Sequence, residues 1–203
     1  MSWRESPSLM KKILLQIFLL AGIASTSFAQ TNSYGISVGI AGGAIRQPQL
    51  AGGPGYDLNT GSLLGLQYTR KLNNKFHLMT GIDWYHYRLS VKPNTYPGIE
   101  KSTNYYDFNL LSIPVYIKMD LPKHFFIDGG LIVDFDVTKD KQITNQSGIG
   151  VGLGVGYEVL LTHKVAIQLN PYFNLDGLIL FDEDMYPKRV FGPGIKLIFV
   201  MRN

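Results

Sequence analysis

The sequence predicts an all-β chain: an eight-stranded antiparallel up-and-down transmembrane β-barrel. Three observations carry this. Apolar and polar or small residues alternate at period two along about eight segments, the mark of strands whose faces meet different surroundings. The connections alternate strictly between short and long. The stretch Gly148-Ile149-Gly150-Val151-Gly152-Leu153-Gly154-Val155-Gly156-Tyr157-Glu158-Val159 places glycine at every second position through Gly156, with apolar residues between. Glycine weakens a strand by about 0.5–1 kcal/mol relative to alanine unless something uses the space. In a narrow barrel, bare inner positions make room for large lumen side chains from neighbouring strands.

The amino terminus reads as a signal rather than a domain. Lys11 and Lys12 precede an apolar run over 13–24 and the small-residue stretch Ser27-Phe28-Ala29, so residues 1–29 are expected to be a secretory signal peptide and 30–203 the barrel. A dozen apolar residues fall short of the roughly 20 that span a bilayer as a helix. Met10 is a natural start for this signal, which would make residues 1–9 an over-extended start. Loss of 1–29 removes three basic residues and one acidic, lowering the formal +4 to +2. No basic stripe interleaved with aromatics remains, so nucleic acid is not implied. The chain has 203 residues and no cysteine, which excludes a disulfide framework and a cysteine metal site.

The first strand sets Tyr34, Ile36, Val38 and Ile40 against Gly35, Ser37, Gly39 and Ala41. A Gly- and Pro-rich loop follows over 46–59, then Leu64, Leu66 and Tyr68 oppose Gly65, Gln67 and Thr69. Asn73-Asn74 makes a tight turn. The third strand, near 76–89, sets Phe76, Leu78, Ile82 and Trp84 against His77, Gly81, Asp83, Tyr85 and Tyr87; a long loop spans 92–103. In the fourth, Phe108 and Leu110 fall out of phase with Ile113, Val115, Ile117 and Met119, which predicts a bulge near Leu111. After the turn Leu121-Pro122-Lys123, Phe125, Ile127, Leu131, Val133 and Phe135 oppose Asp128, Gly130, Asp134 and Asp136. A polar loop over 138–147 leads to the glycine strand, and Thr162-His163-Lys164 turns into Val165, Ile167, Leu169, Phe173 and Leu175 against Gln168, Asn170, Tyr172, Asn174 and Asp176. Residues 179–188 read as the last loop. Phe191, Ile195, Leu197 and Phe199, against Gly192, Gly194 and Lys196, complete the set.

Period two alone does not say which face meets which solvent. A soluble cup would carry apolar residues inside around an apolar ligand; a membrane barrel carries them outside. Charges on the polar face would each cost about 2–4 kcal/mol against mid-bilayer lipid, so in a membrane they must face the lumen. The crowd of Phe and Trp on the other face exceeds what an eight-strand interior holds, which favours the membrane barrel.

The run Leu111-Ser112-Ile113-Pro114-Val115-Tyr116-Ile117-Lys118, then Phe126-Ile127-Asp128-Gly129-Gly130, the glycine strand, and Pro193-Gly194-Ile195-Lys196-Leu197-Ile198-Phe199 resemble the PorT-like outer-membrane β-barrel family of Bacteroidetes over residues 30–203. The resemblance implies an eight-stranded barrel in the cell outer membrane, and one family member is associated with protein secretion through that membrane. The ending departs from the usual pattern: Phe199 is followed by Val200-Met201-Arg202-Asn203 where barrels commonly end on an aromatic residue.

The expected site is a lumen charge network of Lys71, Asp83, Lys118, Asp128, Asp134, Asp136, Glu158, Asp176 and Lys196, filling the barrel as a plug. His86 and Ser90 share a face as the lipid-facing acyl-transfer pair of an outer-membrane lipid-modifying enzyme would, but four strand residues span about 13 Å, too far for contact. His77, His124 and His163 lack metal-ligand spacing. Asp182-Glu183-Asp184 reads as a solvated acidic loop. No residue stands out as catalytic, and no cofactor is implied. Expected partners are outer-membrane lipid, the barrel-assembly machinery and other envelope proteins, met through long loops that carry Tyr96 and Tyr186.

Overall fold

The computed structural model describes residues 32–46, 55–92, 103–139, 145–181 and 189–203. The predicted signal segment and the loop residues Tyr96, Tyr186 and Asp182-Glu183-Asp184 lie outside them. The described residues form ten strands: β1 (Asn32–Ala41), β2 (Ala44–Arg46), β3 (Gly55–Leu58), β4 (Gly61–Lys71), β5 (Phe76–Lys92), β6 (Asn104–Asp120), β7 (Phe125–Asp136), β8 (Gly148–Leu160), β9 (Val165–Leu180) and β10 (Arg189–Arg202). Eight of them form an antiparallel ring in the order β1-β4-β5-β6-β7-β8-β9-β10, and β10 pairs back onto β1 from Ser33↔Arg202 to Ala41↔Gly194. Closure leaves no unpaired edge in the ring.

The segment read as a plain loop over 46–59 holds the short strand β3, and another short strand, β2, runs into its first residue. β2 pairs with β10 and β3 with β5, extending the wall at the long-loop end.

The short turns are built by local side chains. Asn73 Oδ1 accepts hydrogen bonds from the backbone N–H of Lys75 and Phe76, both at 2.9 Å, and Thr162 Oγ1 accepts from those of Lys164 and Val165 at 3.2 and 3.1 Å. The turn at Pro122–His124 bends through left-handed backbone at Lys123 (φ 61°) and His124 (φ 64°).

The polarity of the wall is settled by which side chains the ring encloses. Ile36, Leu66 and Leu153 are 55%, 62% and 66% exposed, whereas Asp83 and Asp134 are 5% and 0% exposed. Every ring strand carries exposed apolar residues outward, a band too continuous for a water-facing surface. That is the arrangement of a transmembrane β-barrel, and it overturns the apolar-lined cup. Tyr34, Tyr68, Phe125 and Tyr157 gather on the outside near the short turns, with Tyr34–Tyr68 and Phe125–Tyr157 ring centroids 5.4 and 5.0 Å apart.

The bulge expected near Leu111 is absent. β6 keeps one register against β5, from Phe76↔Met119 to Val91↔Asn104, and one against β7. Phe108 and Leu110 are in phase with Ser112, Tyr116 and Lys118 and point inward, where they are 1% exposed. The irregularity lies between β8 and β9, where the pairing moves from Ile149↔Ile179 to Val151↔Leu175. Gly177, at φ +65°, makes that bulge, a left-handed conformation open to glycine at little steric cost. β9 therefore runs on to Leu180, into the stretch read as loop.

Candidate functional site

Among the described residues the lumen gathers the buried charged side chains, and the glycine strand makes room for them. A Cβ on Gly154 would lie 2.6 Å from both Asp128 Oδ1 and Asn170 Oδ1, and one on Gly156 would collide with the Phe126 ring. At Gly152 it would meet the Tyr116 hydroxyl. The bare inner face of β8 thus accommodates side chains from β6, β7 and β9, as its sequence predicts.

The nine predicted lumen residues do not form one network. They divide into separate groups along the barrel. In the middle, Lys196 Nζ from β10 donates to Asp83 Oδ2 on β5 at 2.5 Å, and Ser37 Oγ donates to Asp83 Oδ1 at 3.4 Å. Asp83 reaches Ser37 because Gly65 on the intervening strand is bare: a Cβ there would strike Ser37 Oγ at 2.5 Å and the Asp83 carboxylate. The Lys196 ammonium also lies 4.8 Å from the Tyr172 ring centroid. Nearby, Asn170 Nδ2 donates to Asp128 Oδ2 at 2.6 Å, and Asn174 Nδ2 donates to Tyr85 Oη at 3.1 Å. Ser112 Oγ donates to Asp134 Oδ1 at 2.6 Å. Asp176 is buried beside the Gly177 bulge.

Asp136 has a different task. Its carboxylate accepts from the backbone N–H of Thr138 at 3.0 Å and of Gln146 at 3.2 Å, tying together the two ends of the loop that follows β7.

Towards the long loops the inward face turns apolar. Leu58, Leu63, Tyr87, Leu89, Phe108, Leu110 and Val190 pack into one buried cluster with Ala41, Tyr85 and Tyr172. Tyr85 and Tyr87 stack with centroids 6.0 Å apart, and Phe108 adds its ring 5.9 Å from Tyr87. Tyr85 and Tyr87 are legible as inward residues from alternation. Phe108 and Leu110 are misplaced by the assumption that apolar means outward.

At the short-turn end the polar groups form a mouth. Lys118 Nζ lies 3.7 Å from both Asp120 Oδ1 and Glu158 Oε2, His77 Nε2 is 2.8 Å from Asp120 Oδ2, and Arg202 pairs with Glu158. Gln168 Nε2 donates to Glu158 Oε2 at 2.6 Å, and Lys118 sits 4.3 Å over the Phe126 ring. Lys71 lines the same cavity. Asp120 and Arg202 were missed in the sequence, although each keeps the inward parity of a residue that was read: Asp120 that of Lys118, and Arg202 that of Lys196.

His86 and Ser90 are not brought together. The His86 ring pairs through Nδ1 with Asn109 Oδ1 at 2.9 Å, while Ser90 Oγ donates to the Asp57 carbonyl at 3.3 Å.

No protein-family model matches the sequence, and no curated protein matches it. Solved structures do. The outer membrane protein OprG from Pseudomonas aeruginosa matches over 86% of this chain and 95% of its own, with 14% identity and a TM-score of 0.50. Ail, the attachment invasion locus protein of Yersinia pestis, solved in complex with the heparin analogue sucrose octasulfate, matches over 84% and 99% at 14% identity and a TM-score of 0.49. Neisserial surface protein A matches over 84% and 98% at 13% identity and a TM-score of 0.48. At such identities the likeness is one of fold, and OprG carries it. With charges enclosed and apolar residues turned out on every ring strand, this chain has the fold and the wall polarity of an eight-stranded barrel of the bacterial outer membrane.

Proposed function

We propose that this protein is a PorT-like barrel whose lumen conducts nothing and which works through its two rims, as an interaction scaffold accessory to protein secretion or surface assembly. The observation that carries the reading is the inward apolar cluster of Tyr87, Phe108, Leu110, Leu63 and Val190 at the long-loop end. Packing of these side chains inside an eight-stranded ring supports a lumen closed at that end. On this reading the long loops and the short-turn rim are the surfaces through which the barrel acts. The PorT resemblance supports a role in export. On this reading the barrel-assembly machinery inserts the chain and outer-membrane lipid surrounds it.

The test has two parts. Fractionation should find the protein in the outer membrane, with gel migration that shifts on boiling. In planar bilayers the folded barrel should pass no steady current, whereas Phe108→Ala combined with Leu110→Ala should leak ions. A conducting wild-type barrel refutes the proposal. Loss of exported surface proteins on deletion supports the accessory role, and unchanged export and surface composition overturns it.

A further inference from the structure

We propose that the short-turn mouth of the lumen binds an acidic stretch of polypeptide, presented from the side on which Asn32 and Asn203 lie. This rests on the reading of the chain as an outer-membrane barrel and deepens it by naming a ligand class for one rim.

The mouth is a cavity of 270 Å³ between β1, β4, β5, β6, β8, β9 and β10. Its wall carries Lys71, His77, Lys118 and Arg202 against Asp120 and Glu158. Both acids are already engaged, Asp120 with His77 and Lys118, and Glu158 with Lys118 and Arg202. Lys71 has no carboxylate within ion-pair distance among the described residues. Each of the three short turns then adds an exposed lysine, Lys75, Lys123 and Lys164. Positive charge therefore exceeds negative in the cavity and increases outward from it, a field that draws in anions.

The geometry selects among anions. The cavity lining faces inward, and on the outside of this end Tyr34, Tyr68, Phe125 and Tyr157 stand between it and the bilayer. Phospholipid headgroups thus meet the outer girdle, not the mouth. Lys75, Lys123 and Lys164 stand on three different hairpins of the ring, so the positive charge outside the cavity is spread around the rim rather than gathered at one point. A chain carrying several carboxylates can place one beside Lys71 and others against the turns. Acidic polypeptide has that spacing, and it is the partner to which the charge arrangement is complementary.

The experiment uses the full chain refolded in zwitterionic detergent, its fold checked by heat-modifiable migration. The probe is a fluorescein-labelled hexaglutamate peptide, followed by anisotropy with hexaserine as control. Saturable one-site binding that weakens as salt rises is expected. Lys71→Glu should weaken it about tenfold, Lys71→Arg should retain it, and Lys75→Ser with Lys123→Ser and Lys164→Ser should weaken it several-fold. Because Lys71 and the turn lysines are at the rim, these variants should keep the gel shift. No saturable binding, or equal binding by Lys71→Glu, overturns the proposal. So does complete displacement by phosphatidylglycerol vesicles or a sulfated glycan at an equal charge concentration, since the mouth would then prefer a lipid or a polysaccharide. If the chain fractionates away from the outer membrane, the barrel reading fails first; if it is an outer-membrane barrel and the peptide does not bind, only this inference fails.

Discussion

Replacing Lys196 by methionine tests the physics of the lumen most directly. The substitution keeps the aliphatic stem, removes the ammonium, and leaves Asp83 enclosed with the Ser37 hydroxyl at 3.4 Å. The Lys196 and Asp83 charges are 2.5 Å apart, and their side chains are 10% and 7% exposed. Two unit charges at that separation attract by about 7 kcal/mol at an effective dielectric constant of about 20. Desolvation of both groups offsets much of this, and breaking such a pair by removing one partner costs about 3–5 kcal/mol. Lys196→Met is therefore expected to destabilise the barrel by that amount. Adding Asp83→Asn removes the stranded charge, so the double variant should recover to within about 1–2 kcal/mol of the parent. The assay is urea unfolding in phospholipid vesicles, followed by the fluorescence of Trp84, which is 47% exposed on the outer face. The other tryptophan, Trp3, lies in the expected signal segment 1–29, so the barrel spanning 30–203 gives a single signal. A single variant as stable as its parent, or a double variant worse than the sum of the singles, refutes the account of the lumen as a set of enclosed charge pairs.

Gly156→Leu puts a side chain where the Phe126 ring lies, its Cβ inside van der Waals contact of three ring carbons, and should cost about 1–3 kcal/mol in the same unfolding assay. Leu153→Arg, one face over on the same strand, should cost about 2–4 kcal/mol in vesicles if its position is near mid-bilayer, and unchanged stability would mean that face does not meet lipid. Gly177→Val forces a β-branched residue to φ +65° and should cost about 1–3 kcal/mol, which the urea midpoint will show. Glu158→Gln leaves Arg202 and Lys118 without their shared carboxylate; with the mouth part-exposed, only about 1 kcal/mol of lost stability is expected, shrinking further in high salt.

Alternation is legible in a sequence because a strand has only two faces, and in β8 the pattern even announced its purpose: the glycines of 148–156 are bare where Tyr116, Phe126 and Asp128 come across. The turns were legible for the same local reason, since Asn73 and Thr162 satisfy backbone donors two and three residues on. The number of ring strands and the inward side of Asp83, Lys118, Asp128, Asp134 and Lys196 follow from period two once the apolar face is assigned to lipid. That assignment holds only where the lumen is polar. Near the long loops it is not, so Phe108 and Leu110 point inward and the expected bulge near Leu111 vanishes. The real bulge falls at Gly177, where a glycine followed by Leu178, Ile179 and Leu180 has no sequence mark separating strand from loop.

What the sequence by itself determined is therefore the wall: eight ring strands, their order along the chain, their tight turns and the division of each strand into two faces, all products of residue-to-residue periodicity. What only the tertiary structure decided is how the enclosed charges sort. Lys196 reaches Asp83 across two intervening strands, Asp120 and Glu158 share the cations of the mouth, and Asp136 leaves the lumen to hold a loop. The cross-barrel pairings depend on the stagger of strands around a closed ring, which brings Lys196 to a residue 113 positions away and Arg202 to one 44 away and leaves no trace in their spacing along the chain.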